Sequence, residues 1–514
     1  MTATSVINSL NSGDVLTPAS LEHAAKPLAI RTTDDTARAV ERGRAFVDRC
    51  LREDRQVYGS TTGFGPLVVH SGRDDPEDQC DNVLQHLTAG QGPDLPPEVV
   101  RATVLVRLWS LSRGVSGISP AALASLRDML ATSFAPAVPE LGSVGASGDL
   151  VPLAHVVQSL RGVGHAYVDG ARMPAGEALA RAGLAPLELG GRDALSLVNG
   201  TSLTTAAAGL AVASMRRSHE IALALSALLT DVLGAAPAFI SPPLLRAFGH
   251  PEAVWAGERL GYWLSGTRPS GARALQEPYS VRCTPQLLGA ARSAVDWAER
   301  VVRQDLAGVS DNPLFFADED QVAHGGNFFG QPCAFAADLL SMVATQIGNL
   351  AERQIDLLVD PHRNGGLPAM LAPHGGKQHA VQGVQVVATS VVVAMRRACT
   401  PASMQSVPTN LHNQDVVPFG TQAALTALNQ ARSLRLLHGC LGVVLRQAAH
   451  LCPGGPTAQR CAELVGALAE VVAPLERDRP LHGEIRAAAD VLDRFVPRHV
   501  PELADPATCA LEER

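Results

Sequence analysis

Apolar residues recur at helical spacing along most of this chain, and strict alternation is weak. Residues 33–54 and 98–113 show the helical period clearly. Thr17-Pro18 and Ser119-Pro120 each read as an N-cap followed by proline in the first turn. Glycine-bearing loops fall at 59–65, 142–148 and 162–175. The second half changes character. Segments 285–305, 331–358, 379–399 and 419–450 are long, rich in Ala, Leu and Val, and sparsely charged. Helices apolar over so much of their circumference pack inside bundles. No repeat, charge block or low-complexity linker separates the halves. The pattern predicts a mainly α protein, with a loop-bearing N-terminal domain over 1–195 joined to a long-helix bundle over 196–514.

Composition narrows the class. The 514 residues carry 42 Lys+Arg against 50 Asp+Glu, a net charge of −8. Only 18% are charged and 46% are hydrophobic, which implies large buried faces in one core or an oligomer. Mild acidity without basic blocks argues against nucleic acid and anionic membranes as partners. Residues 194–215 contain no charge, yet they hold Asn199, Thr201, Ser202, Thr204 and Thr205. So many polar groups do not suit a lipid-facing span, and the stretch reads as a buried junction leading into a core helix. Nine cysteines, an odd number without any C-x-x-C pair, predict reduced thiols and a cytoplasmic location. The first sixteen residues lack the basic and apolar regions of a secretory signal.

The most specific segment is Gly-Ser-Val-Gly-Ala-Ser-Gly-Asp-Leu-Val-Pro over 142–152, continuing to His155. At Ala146-Ser147-Gly148 the amide nitrogen of residue 148 can attack the carbonyl of residue 146 if no side chain blocks the bend. Glycine at 148 and a small residue at 146 meet that condition. Dehydration across Ser147 then leaves an exocyclic methylene, an electrophile made from the chain itself. The plain alternative is a flexible Gly/Ser turn before a helix.

Three other segments stand out. Tyr58-Gly59-Ser60-Thr61-Thr62-Gly63-Phe64-Gly65 is a glycine-punctuated, lid-like loop led by a tyrosine, either a base or a packed loop residue. Asn199-Gly200-Thr201 matches a glycosylation sequon, which a cytoplasmic chain does not use, or holds a buried asparagine at a helix start. Gln276, Tyr279 and Arg282 precede Thr284-Pro285, so they fall on a loop entering a helix. A lone arginine there is most simply an ion-pair partner. His362, His374 and His379 lack the carboxylate spacing of a closed metal site.

Together these strings resemble the methylidene-imidazolone (MIO) aromatic amino acid ammonia-lyases and aminomutases, over about residues 10–500. The resemblance implies a histidine ammonia-lyase-like fold. It also implies an MIO group formed autocatalytically from Ala146-Ser147-Gly148, without metal, and a homotetramer whose sites combine loops from different chains. Carried over residue by residue, Tyr58 removes the substrate β-proton. Asn199 bonds the electrophile's oxygen, and Tyr279 lies beside the electrophile. Arg282 grips the substrate carboxylate by two parallel hydrogen bonds, shared with Asn327 of Gly325-Gly326-Asn327-Phe328-Phe329-Gly330. Gln276 belongs to the same Q-x-x-Y-S-x-R pattern, and Gln286 matches a further family glutamine. Phe329 occupies a position that varies in the family. Gln414 stands where histidine-specific members carry glutamate and the phenylalanine and tyrosine members carry glutamine.

Ring selectivity maps to His86-Leu87, which matches neither the Phe-Leu of phenylalanine enzymes nor the Ser-His of tyrosine and histidine enzymes. Leu87 favours an apolar ring, because an unpaired polar tip costs about 1–3 kcal/mol. His86 either reaches a para-hydroxyl, as in bifunctional members, or merely packs. The expected activity is therefore ammonia elimination from a small aromatic L-amino acid, phenylalanine first and tyrosine second, giving trans-cinnamate or coumarate. A 2,3-aminomutase making a β-amino acid uses the same residues and stands next. Histidine ammonia-lyase follows, and a non-catalytic helical scaffold is disfavoured because the motif residues are all present.

Overall fold

The structure, a computed structural model, describes residues 9–72 and 75–499. Residues 1–8, which carry half of the secretory-signal reading, and Cys509 lie outside the described residues. The fold is mainly α, with small sheets of two or three strands among the described residues. The chain divides into two compact units. One comprises Met1–Ala213, Trp297–Ser341 and Thr400–Asn429, and the other Ser214–Asp296, Met342–Cys399 and Gln430–Arg514. The hydrophobic pattern suggests a single break near residue 195, whereas these units interleave along the chain. The long helices, such as Ser202–Val232, supply residues to both.

In the first unit, the Thr33 hydroxyl accepts the Thr36 N–H at 3.3 Å and caps the helix Asp34–Arg52. Its buried face adds Phe46, Val47 and Cys50 to a cluster with Val57 and Phe315. The Phe46 and Phe315 rings meet edge to face at 6.4 Å. Val57, fully buried, directly precedes Tyr58, so this cluster anchors the tyrosine loop. The helix Pro97–Leu111 is buried at every position from Val99 onward. It nevertheless contains Arg101, whose guanidinium donates to the carbonyls of Ala24, Lys26, Leu130 and Phe134 at 2.6–2.9 Å. Burial lowers this arginine to about 10, and the carbonyl cage replaces its lost water. Ser119 caps Pro120–Leu130 by accepting from the Ala122 N–H at 3.2 Å.

One expected loop is instead sheet. Residues 162–175 form the hairpin His165–Val168 and Ala171–Pro174, joined antiparallel to Ala135–Pro136. Asp169 and Gly170 both adopt positive φ, +52° and +80°, as a two-residue hairpin turn requires. The apolar stretch at 194–215 forms the helix Asp193–Val198, a break, and the start of Ser202–Val232. By length and composition Asp193–Val232 and Gln331–Val359 are apolar enough to cross a membrane, but their apolar windows are 100% and 72% buried within the protein.

The expected long helices appear as Thr284–Ala307, Gln331–Val359, Gln382–Ala398 and Gly420–Leu451. The third, within the second unit, starts later than the expected residue 379. There the backbone N–H groups of His379 and Ala380 donate to the Asp478 carboxylate at 2.9–3.1 Å, and Ala380 holds φ +44°. Those donors are therefore satisfied outside the helix.

Candidate active site

The 142–149 turn is held from several directions within the first unit. Gly145 N–H and Phe419 N–H anchor it at the Ser143 hydroxyl and the Val144 carbonyl, 3.1 and 3.0 Å. The Asp149 N–H donates to Gly200 O at 2.7 Å, and the Gly148 N–H to Phe328 O at 3.0 Å. The Asp149 carboxylate is fully buried beneath the turn. Hydroxyls of Ser143, Thr204 and Thr421 reach it at 2.8, 3.0 and 2.6 Å, and the Thr204 N–H at 2.9 Å. Burial pushes this carboxyl above its ordinary range, and the hydrogen bonds from Thr421, Thr204 and Ser143 oppose that. Gly148 takes φ +69°, and a Cβ there would lie 2.4 Å from Gly200 O, so only glycine fits. Ala146 is 3% exposed. Gln414 donates from its side-chain amide to the Ser147 hydroxyl. That glutamine is placed by a short antiparallel bridge to Thr409.

The tyrosine loop folds back on itself. Gly59 N–H donates to the Thr62 hydroxyl at 3.1 Å and Gly63 N–H to His70 O at 2.9 Å. The Tyr58 phenol oxygen accepts the Gly65 N–H at 2.8 Å. Its ring meets Phe64 edge to face at 6.2 Å, and Phe64 in turn lies 6.0 Å from His86. The Tyr58 N–H faces His324 Nε2 at 3.4 Å. Burial and the nearby Arg192 hold His324 below the usual histidine range. His86 ends the helix Pro76–Leu87 with its ring exposed and Nδ1 2.8 Å from the Asn82 carbonyl. Leu87 beside it is half-buried.

Asn199 is 3% exposed and sits at the end of a short helix, not at a helix start. Its amide donates to Asn312 O at 2.8 Å. Asn327 and Phe329 lie on an exposed turn, closed by Phe329 N–H to Gly326 O at 3.0 Å. In the second unit, Gln276 and Glu277 lie on a loop, and Tyr279–Arg282 forms a single helical turn before Thr284–Ala307. Arg282 stacks over the Tyr279 ring at 4.8 Å. Tyr279 is 72% exposed, so its phenol faces outward from this unit. Glu277 accepts a bidentate contact from Arg273 at 2.7 and 2.5 Å, which braces that loop. Gln286 buries its side-chain oxygen near the start of the following helix. His379, weighed as a metal ligand, instead pairs with Asp478 at 3.2 Å.

A sequence profile described as "Aromatic amino acid lyase" matches residues 16–471. The chain belongs to the aromatic amino acid lyase family. Its enzyme class is therefore carbon–nitrogen lyase. It is 37% identical to a histidine ammonia-lyase of Symbiobacterium thermophilum over 465 residues, 90% of this chain and 91% of that protein. It is 40% identical to a tyrosine ammonia-lyase of Cereibacter sphaeroides over 500 residues, covering 88% and 95%. A tyrosine aminomutase of Streptomyces globisporus superposes with a TM-score of 0.89 at 29% identity, covering 96% of this chain and 98% of that one.

This lyase family depends on MIO. The residues at 146–148 fit it: the tight left-handed glycine, the buried alanine and the amide-held serine hydroxyl are all present. In the sequence alone Asp149 has no evident task. Its four partners come from positions 143, 204 and 421, a convergence that only the folded chain shows.

Proposed function

We propose that this lyase eliminates ammonia from L-tyrosine to give 4-coumarate, with L-phenylalanine as its second substrate. That reverses the order expected from the sequence. The observation that carries it is the His86 contact to Asn82. A carbonyl only accepts, so Nδ1 is the donor in this contact, and the tautomer it selects is the one with Nε2 as the acceptor. An acceptor suits a phenol O–H and gains nothing from an unsubstituted ring. The 40% identity to a protein named tyrosine ammonia-lyase supports the same order.

Ala146, Ser147 and Gly148 would form the MIO group, which would supply an electrophile for the substrate amine. Tyr58 removes the β-proton, and the Gly65 N–H hydrogen-bonds the phenol oxygen that receives it. Arg282 and Asn327 hold the carboxylate, and Gln276 supports that loop. Asn199, Tyr279 and Gln414 organise the electrophile and the amine. Leu87 and Phe329 bound the ring pocket. Gln414 in place of glutamate weighs against histidine, although a relative named for histidine is 37% identical. The aminomutase reading rests on the structural likeness to a tyrosine aminomutase. The described cysteines are all free thiols, which supports a reducing, cytoplasmic setting.

The test is product identity. Purified protein is incubated separately with L-tyrosine, L-phenylalanine and L-histidine, and arylacrylates and β-amino acids are separated by chromatography. The expected main product is 4-coumarate. Urocanate alone, or β-tyrosine as the dominant product, would overturn the proposal in favour of the other two readings.

A further inference from the structure

Asp311, Asn312 and Pro313 belong to none of the motifs discussed above, yet contacts from several of those motifs meet there. Ser310 opens the turn. Its hydroxyl accepts from Thr201 N–H and hydroxyl at 2.9 and 3.0 Å, and its carbonyl accepts from Arg107 at 2.7 Å. Asp311 is buried between two buried guanidiniums, Arg192 at 3.2 Å and Arg107 at 3.9 Å. Arg192 also donates to Pro313 O at 2.9 Å. Asn312 is thus fixed on both sides, and it faces two separate site segments. Its backbone carbonyl receives the Asn199 amide at 2.8 Å. Its side-chain oxygen receives the Gly325 N–H at 2.8 Å, two residues before Asn327.

We infer that Asn312 is a positioning residue for the elimination. Its side chain ties the Gly325–Phe329 turn to the ion-paired Asp311 platform and so sets where Asn327 meets the substrate carboxylate. Beyond Gly326 the turn is held by backbone bonds, Phe329 N–H to Gly326 O and Gly148 N–H to Phe328 O at 3.0 Å and Gly330 N–H to Gly145 O at 3.3 Å. Gly325 and Gly326 have open space around them, and Asn327 and Phe329 are exposed. At the Gly325 end the Asn312 side chain supplies the hydrogen bond to a rigid neighbour, and so it sets how much of that end's freedom is lost before substrate arrives. The Asn199 bond uses the Asn312 backbone, so it survives replacement of the side chain. A change at Asn312 thus separates carboxylate placement from the electrophile.

The inference rests on the proposed reading of Asn327 as a carboxylate ligand. The test compares wild type, Asn312→Ala and Asn312→Asp on whichever aromatic amino acid the wild type turns over. It also measures binding of 4-coumarate, a carboxylate probe that needs no turnover. Asn312→Ala is expected to raise KM and weaken 4-coumarate binding about 10-fold, the scale of one misplaced hydrogen bond from Asn327 to the carboxylate. Its kcat stays within about threefold, and near-ultraviolet absorbance and melting temperature stay close to wild type. Asn312→Asp keeps the acceptor and restores KM. Asn312→Ser is polar but too short to reach Gly325, and it stands in if the alanine variant does not fold. KM and 4-coumarate affinity within twofold of wild type in the truncated variants would overturn the inference. So would losses that merely track the folded fraction, or an aspartate variant no better than alanine. Failure of the tyrosine reading shows separately, in the substrate and product of the wild type.

Discussion

At the scale of single residues, the proposed ring preference rests on His86. With Nδ1 committed to Asn82, the free ring nitrogen meets a para-hydroxyl or nothing. Replacing His86 by Phe is expected to lower kcat/KM for tyrosine relative to phenylalanine by 10-fold or more, the scale of one lost polar pairing. An unchanged ratio, measured with both substrates, means that His86 only packs. Ser147 carries a different prediction. Ser147→Ala removes the hydroxyl whose loss creates the electrophile, so near-ultraviolet absorbance and nearly all turnover should vanish together. Retained activity would refute the cofactor assignment. Much of this residue-level picture is legible in the sequence, because the 142–155 string, the 58–65 loop and Gln414 each carry local chemistry. Asp149, Asp311 and Asn312 are not legible in that way. Their partners lie up to 272 positions away, at Thr421, Arg107, Arg192 and Asn199, and no local pattern announces such convergence.

At the scale of elements, helix ends were readable wherever a side chain closes them. Thr33 and Ser119 cap as their types predict. The 165–174 hairpin was missed because its glycines suggested a loop, although Asp169-Gly170 is a hairpin turn pair. The 379 start was missed because a distant acid, Asp478, takes the first N–H groups. The helix Pro97–Leu111 offers the clearest test of element energetics. Arg101→Met fills similar space but withdraws the donors from four carbonyls, of which Leu130 O keeps the Leu28 N–H at 2.8 Å, so stability should fall by about 2–5 kcal/mol in urea unfolding. A variant as stable as wild type would show that water replaces the guanidinium at little cost.

At the scale of the whole molecule, two buried histidines make stability depend on pH. Burial holds His219 at about 4, with Arg292, Arg216 and Arg259 adding to the effect, and His438 at about 3. In the unfolded chain both titrate near 6.5. As pH falls below that value, the unfolded chain binds protons that the folded protein refuses. Their contribution is therefore complete above about 6.5 and is lost progressively toward pH 3–4. Melting temperature should drop between pH 7.5 and 5. Among the described residues His438 has no partner for either ring nitrogen, so His438→Leu should flatten that slope; an equally steep slope would contradict the assignment. Assembly belongs to the same scale. Val386, Val387 and Val393 are 41–65% exposed on the helix Gln382–Ala398, an apolar face that supports the proposed homotetramer. Light scattering is expected to give four chains, and a monomer with full activity would rule out shared sites.

The central claim concerns which amino acid this lyase prefers, and the ratio of kcat/KM for L-tyrosine to that for L-phenylalanine measures it most directly. Both rates are followed on the same purified enzyme by the absorbance of the arylacrylate formed. A ratio above one, with 4-coumarate as the product, is predicted. A ratio below one, or no 4-coumarate at all, would contradict the account.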